Sequence, residues 1–204
     1  MSIRMLHPDQ IEEAVRLLVE GGLVVFPTDT VYGVAALAED AEAVARLYAA
    51  KRRPSHMAIP VMVAAPERVT AVARPLPGFW PLAEAFWPGP LTIILPKTEA
   101  LPPIVTAGGE TVALRIPDHP LALALLRAVD RPLAVTSANL SGQPPALTAE
   151  EARGQLEGRV DAILDGGQAP GGQPSTIIDL TRTPPQILRE GPVTYDMLAS
   201  SLSF

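Results

Sequence analysis

Two rhythms of apolar residues alternate along the chain. Ile11, Ala14, Val15, Leu18 and Val19 fall at helical spacing after Pro8-Asp9, and Gly21-Gly22 closes that segment. A second amphipathic face follows Asp40, a residue suited to an N-cap, with Ala41, Val44, Ala45, Leu47 and Tyr48, and ends at Pro54. Further helices are predicted over 66–72, 78–87, 118–129 and 193–202, and Thr148-Ala149-Glu150-Glu151 has the form of a capping box at a helix start. Between them lie short apolar runs at 23–26, 59–63, 91–95, 111–116, 132–136, 160–164, 175–180 and 186–189, which read as strands. Strands interleaved with helices predict an α/β fold. The connections differ in length and no internal repeat is visible. The expectation is a single domain over 1–204 with a twisted, mixed parallel/antiparallel sheet flanked by helices.

Composition narrows the picture. A 48% hydrophobic chain of 204 residues, mean hydropathy +0.22, can bury a sizeable core. No apolar run approaches the roughly 20 residues that cross a bilayer, and the N-terminus has no signal-peptide pattern, so the expected location is the cytoplasm, without membrane association. With 0 Cys there are no disulfides and no thiolate metal sites, and His7, His56 and His119 show no ligand spacing. His7 and His119 precede prolines and read as surface turns. The net charge of −6 argues against a surface that holds nucleic acid by itself. The 23 Pro are about twice the usual share and predict raised thermal stability.

Several strand and helix ends carry chemistry. Pro27-Thr28-Asp29-Thr30-Val31-Tyr32-Gly33 is a hydroxyl-rich loop that could bind a small polar ligand or form a polar turn. Lys51-Arg52-Arg53 at a helix C-terminus either complements the macrodipole, at roughly 0.3–1 kcal/mol each, or forms an anion clamp. Ser137-Ala138-Asn139-Leu140-Ser141-Gly142 reads as an anion-accepting nest or as an ordinary turn. Alternation places Thr111, Ala113 and Arg115 on one strand face, and a cation at a buried strand tip needs an anion, from the protein or from a ligand. Arg189 ends another strand, where a salt bridge to Glu190 is the plain reading. Apart from Glu190 beside Arg189, Asp29 is the one acid in these stretches, so the set suits anion binding better than acid–base catalysis. There is no P-loop, dinucleotide fingerprint or nucleophile elbow.

Taken in order, Pro27–Gly33, Lys51-Arg52-Arg53-Pro54, the 111–115 strand, the 137–142 turn, Ser175-Thr176-Ile177-Ile178-Asp179-Leu180 and Leu188-Arg189-Glu190-Gly191 resemble the YrdC/TsaC family, the threonylcarbamoyl-AMP synthases, in the short single-domain form. The resemblance implies a nucleotidyltransferase that makes threonylcarbamoyl-AMP and pyrophosphate from L-threonine, bicarbonate and ATP, with Mg²⁺. Downstream transferase proteins would then carry the threonylcarbamoyl group to tRNA, so contact with tRNA would be indirect or weak. Residue by residue, it implies Thr30, Tyr32 and Arg115 for threonine, and Lys51 and Arg53 as catalytic cations on phosphate or carbamate. Thr111, Ser137, Asn139 and Arg189 would contact the nucleotide. Met57, Met62, Val135 and Pro145 stand where many relatives carry other residues. A non-catalytic nucleotide- or RNA-binding member of the same fold is the alternative. The 166–174 loop is the expected closing element.

Overall fold

The computed structural model describes residues 3–171 and 173–201. Among these residues ten strands occur in chain order: β1 (Arg4–Leu6), β2 (Val24–Phe26), β3 (Gly33–Leu37), β4 (Val61–Met62), β5 (Leu91–Pro96), β6 (Thr111–Arg115), β7 (Leu133–Ser137), β8 (Ala162–Leu164), β9 (Thr176–Asp179) and β10 (Gln186–Arg189). The helices are α1 (Ile11–Val19), α2 (Ala41–Lys51), α3 (Phe79–Phe86), α4 (Pro120–Val129), α5 (Ala149–Leu156) and α6 (Tyr195–Ser201). The strands join in one sheet, ordered β1-β8-β2-β3-β7-β4-β6-β5-β9-β10. Four neighbouring pairs are parallel and five antiparallel, so the predicted mixed sheet is observed.

Helices cover both faces. Ala14, Leu17 and Leu18 of α1 pack with Ala122, Leu125 and Leu126 of α4 on one face, while α2, α3, α5 and α6 feed the larger core on the other. β3 shows the division: Val34 and Ala36 enter the larger core, Ala35 and Leu37 the smaller. Asp40 caps α2 as expected, accepting from the amides of Glu42 and Ala43 at 3.0 Å.

Several boundaries differ from the sequence reading. β1 and β3 were not anticipated. The 59–63 run contracts to Val61–Met62, because Pro60 has no N–H and Ile59 donates instead to the Val105 carbonyl. α4 begins at Pro120, not Asp118, since residues before Pro117 and Pro120 are kept out of the helical region. Leu17, not Val19, completes the buried face of α1; Val19 is 50% exposed. Ala41 and Ala45 of α2 face solvent, and the 66–72 segment is a 3-10 helix, Pro66–Ala71. At α5 Thr148 caps Glu151, but the Glu151 carboxylate takes the Leu147 amide, so the box is not reciprocal. The last predicted helix narrows to Tyr195–Ser201, and Leu202 lies outside the described residues.

Candidate active site

The 27–32 loop closes the β2–β3 hairpin, with Phe26 opposite Gly33. Thr28 organises it from within. Its hydroxyl donates to the Val31 carbonyl at 2.6 Å and accepts from the Thr30 and Val31 amides. A β-carbon at Gly33 would stand 2.9 Å from Val135 Cγ1, so glycine is required for β3 and β7 to approach here. Thr30 and Tyr32 are buried. Tyr32 reaches across the molecule: its hydroxyl donates to the Gly167 carbonyl at 2.5 Å and lies 3.3 Å from Asp165 Oδ1. Burial pushes this phenol up to about 12, opposed by the Gly166 amide and reinforced by the Asp165 charge. The 166–171 segment is therefore tied to the hairpin, and Gly171 N also donates to the Thr30 carbonyl at 3.0 Å.

The second centre is Lys51, the last residue of α2, only 1% exposed. Arg52 takes the left-handed conformation at φ 51°, which ends the helix and lets Lys51 turn inward. The Lys51 ammonium donates to the Ser137 carbonyl, to the Asn139 carbonyl at 2.7 Å and to Asn139 Oδ1 at 3.3 Å. The Ser141 amide returns to the Lys51 carbonyl at 2.9 Å, and the Ala138 amide donates to the Tyr32 carbonyl at 2.7 Å. The helix end, the 137–142 turn and the hairpin loop are thus bonded directly to one another. Burial pulls the Lys51 amine down to about 7, with the Arg53 charge as second cause. Its oxygen partners act in the opposite sense. Arg53 donates to the carbonyls of Met57 and Ala58 at 3.0 and 2.7 Å. With Arg52, Tyr48, Ser55 and Ile104 it lines an open groove of about 380 Å³. Burial depresses its guanidinium below the usual range.

The third centre is Arg115, 6% exposed at the end of β6. Its Nη2 lies 2.7 Å from both Asp29 oxygens, Nε donates to the Gly89 carbonyl at 3.0 Å, and Nη1 is 3.4 Å from Thr30 Oγ1. The anion that this buried cation needs is supplied by the protein. Burial lowers its pKa and the Asp29 charge opposes the shift. Arg189 lies within electrostatic reach, its pKa lowered by burial first and by Arg115 second. It does not pair with Glu190; it donates to the Ser175 carbonyl at 2.9 Å and reaches Ser175 Oγ at 3.2 Å. Ser175 Oγ in turn lies 2.8 Å from Thr92 Oγ1.

Thr30, Tyr32, Lys51, Arg115, Ser137 and Asn139 therefore converge, and Arg189 is close to Arg115. Thr111 is exposed at the start of β6, about 13 Å along the strand from Arg115 and, by the register of β6 with β4 and of β4 with β7, toward the Ser137 end of the sheet. Within the 137–142 segment the amides of Ala138, Asn139, Leu140 and Ser141 already have protein acceptors. Asn139 braces that turn by donating to the Leu140 and Gln143 carbonyls. His119 is not a surface turn but half-buried, with Nδ1 lacking a partner. Met62 sits in the smaller core, while Met57 is 40% exposed and offers only its carbonyl to Tyr48 and Arg53. Sequence reasoning missed Asp29 as the partner of Arg115, the Ser175–Thr92 pair and the Asp165 contact. The Pro27–Gly33 motif contained the first signal; the others depend on strand register.

Comparison with known proteins places this geometry. The Sua5/YciO/YrdC family model, described as "telomere recombination", matches residues 16–191. The chain is 43% identical over 197 residues to a threonylcarbamoyl-AMP synthase of Pyrococcus abyssi, covering 94% of this chain and 58% of that one. It is 46% identical over 191 residues to a protein of the same name from Bacillus subtilis, covering 93% and 55%. The chain thus spans little more than half the length of these two relatives, but 88% of a putative threonylcarbamoyl-AMP synthase from Mycobacterium tuberculosis, at 43% identity. Among solved structures, P. abyssi Sua5 complexed with L-threonine aligns over 99% of this chain and 61% of its own, at 39% identity with a TM-score of 0.92. Escherichia coli YciO aligns over 99% and 100%, at 29% identity with a TM-score of 0.84. The motif loops that meet in this site lie within the matched span, and the chain belongs to the Sua5/YciO/YrdC family.

Proposed function

We propose that this chain is a threonylcarbamoyl-AMP synthase, a nucleotidyltransferase converting L-threonine, bicarbonate and ATP into L-threonylcarbamoyladenylate and pyrophosphate. The observation that carries the reading is that each of the two most deeply buried site cations keeps one long contact. For Arg115 it is the 3.4 Å approach to Thr30 Oγ1, and for Lys51 the 3.3 Å approach to Asn139 Oδ1. Those are the contacts an incoming anion replaces at least cost.

Threonine would place its carboxylate at Arg115 and a polar group at the Thr30 hydroxyl, in a pocket walled by Tyr32. Its amine combines with CO₂ from bicarbonate and loses a proton to become a carbamate. A carbamate oxygen attacks the α-phosphorus of ATP, and the bond to pyrophosphate breaks. Negative charge collects on oxygens throughout, so Lys51 and Arg53 contribute by charge stabilisation. Arg189, Ser137 and Asn139 would face the nucleotide. Thr111, toward the Ser137 end of the sheet, would join that set. The product is a mixed anhydride that water destroys, which gives the Tyr32-tethered 166–171 segment a reason to cover the site.

Mg²⁺ belongs to this reading as the companion of ATP. Asp29 is committed to Arg115, and the described residues contain no group of three His, Cys, Asp or Glu able to hold a metal. The ion would therefore be held by phosphate oxygens and water. The adenylate would pass to downstream transferase proteins that modify tRNA, consistent with a chain of net charge −6 that meets RNA at most weakly. No helix among the described residues is long and apolar enough to cross a membrane, in keeping with a cytoplasmic role.

The test is pyrophosphate release from ATP, Mg²⁺ and bicarbonate with L-threonine, L-serine or no amino acid. Release that requires threonine is expected. The internal pairing of Lys51 and Arg115 favours one rival, a nucleotide-binding member of the fold without turnover. ATP binding with no release under any condition would establish that rival.

A further inference from the structure

Thr176 is fully buried at the start of β9, yet it is polar. Its hydroxyl donates to the Val193 carbonyl at 2.7 Å and accepts from the Gly191 amide at 2.9 Å and the Val193 amide at 3.1 Å. One hydroxyl thus satisfies three backbone groups of the segment that follows β10. The same residue's amide donates to the Pro90 carbonyl at 2.9 Å. Pro90 follows Gly89, whose carbonyl anchors Arg115 Nε. On its other side Thr176 follows Ser175, whose carbonyl and hydroxyl hold Arg189.

The packing leaves no slack. A β-carbon at Gly191 would come within 2.3 Å of the Pro174 carbonyl oxygen and 2.7 Å of the Thr176 nitrogen, so the 189–193 segment lies directly against β9. The β9–β10 pairing shifts register between Ile187 and Arg189. Arg189 still pairs with Ile177, but beyond a bulge, and a bulge often re-aims a side chain. We propose that Thr176 is a positioning residue that sets the spacing between Arg115 and Arg189, and with it the separation of the two anions those arginines take. This rests on the reading of Arg115 as the threonine contact and Arg189 as a nucleotide contact. Thr176 touches neither substrate; it acts through Pro90 on one side and through Gly191 and Val193 on the other.

The experiment compares wild type with Thr176→Ser, which keeps the hydroxyl, and Thr176→Val, which keeps the shape and loses it. Hydrogen exchange of the Arg189 Nε–H, followed by ¹⁵N NMR, reports directly on the contact with Ser175. ATP affinity is measured by calorimetry and the threonine requirement by pyrophosphate release. The expected result is that Thr176→Ser behaves as wild type. In Thr176→Val, Arg189 loses protection and the ATP dissociation constant rises about tenfold, with a smaller effect on threonine. A folded Thr176→Val protein with Arg189 protected as in wild type overturns the proposal. So does a fall in melting temperature with no change in the balance between ATP and threonine. Should Thr176→Val not fold, Thr176→Cys keeps a weak donor and acceptor and carries the same comparison. If wild type releases no pyrophosphate, the assigned function falls while Arg189 exchange still decides the role of Thr176.

Discussion

Lys51 is under two opposed demands. Burial pulls its amine down to about 7, and the oxygens of Ser137 and Asn139 draw the proton back. The folded value lies below the unfolded one of about 10.4, so the unfolded chain binds more protons above pH 7 and stability rises with pH there. Measured against Lys51→Met by denaturant unfolding, wild type should gain stability from pH 7 to pH 9, at up to ~1.4 kcal/mol per pH unit. A difference that stays flat would mean that the carbonyls keep the amine charged. At Arg115 the pairing is two-sided: Asp29→Ala strands a buried guanidinium and should cost about 3 kcal/mol. The double variant Asp29→Ala/Arg115→Ala should cost less than the sum of the singles. Additive losses in that cycle would show that the pair is not coupled. In turnover, Arg115→Ala should raise the threonine requirement far more than the ATP requirement, and equal effects would make Arg115 structural. The chemical types of these residues were legible in the sequence, since hydroxyls and cations stood at strand and helix ends. Their partners were not. Asp29 sits within the same motif as Thr30, yet nothing in the linear order brings it to Arg115, 86 positions away.

Elements were recognised where local chemistry dominates. Asp40 announced α2, and α2 delivers Lys51 at its far end. β3 went unread because Gly-Val-Ala-Ala-Leu has weak strand propensity. Its neighbours β2 and β7 make it a strand, and both its faces are covered. β1 was missed because three residues show no period. The short β4 reflects one proline. The tether between the hairpin and the 165–171 segment is an element-scale device resting on the Tyr32 hydroxyl at one end and the Gly171 amide at the other. Tyr32→Phe should speed amide exchange at Gly167 and Ala169 while leaving the exchange of β3 and β7 unchanged. Equal acceleration in both places would show that Tyr32 supports the whole core and not this segment.

At the scale of the molecule, charge and topology matter more than any contact. With a net charge of −6 and no basic face suggested by composition, binding of tRNA weaker than about 1 μM at physiological salt is expected. Tighter, salt-sensitive binding would require a basic surface that the net charge hides. The 23 prolines should carry the melting temperature above about 65 °C, and a value in the ordinary range of about 45–65 °C would remove that inference. The sheet order also sets a schedule. β1 lies at the sheet edge and pairs with β8, which also lies beside β2, so β1 has no place until residue 164 has been added. At ribosomal speeds of about 5–20 residues per second, β1 waits roughly 10–30 s for its partner. The Tyr32 tether to Gly167 comes later still. A nascent chain therefore holds these cations and hydroxyls unassembled, and leaves the backbone edge of β2 unpaired until β8 covers it.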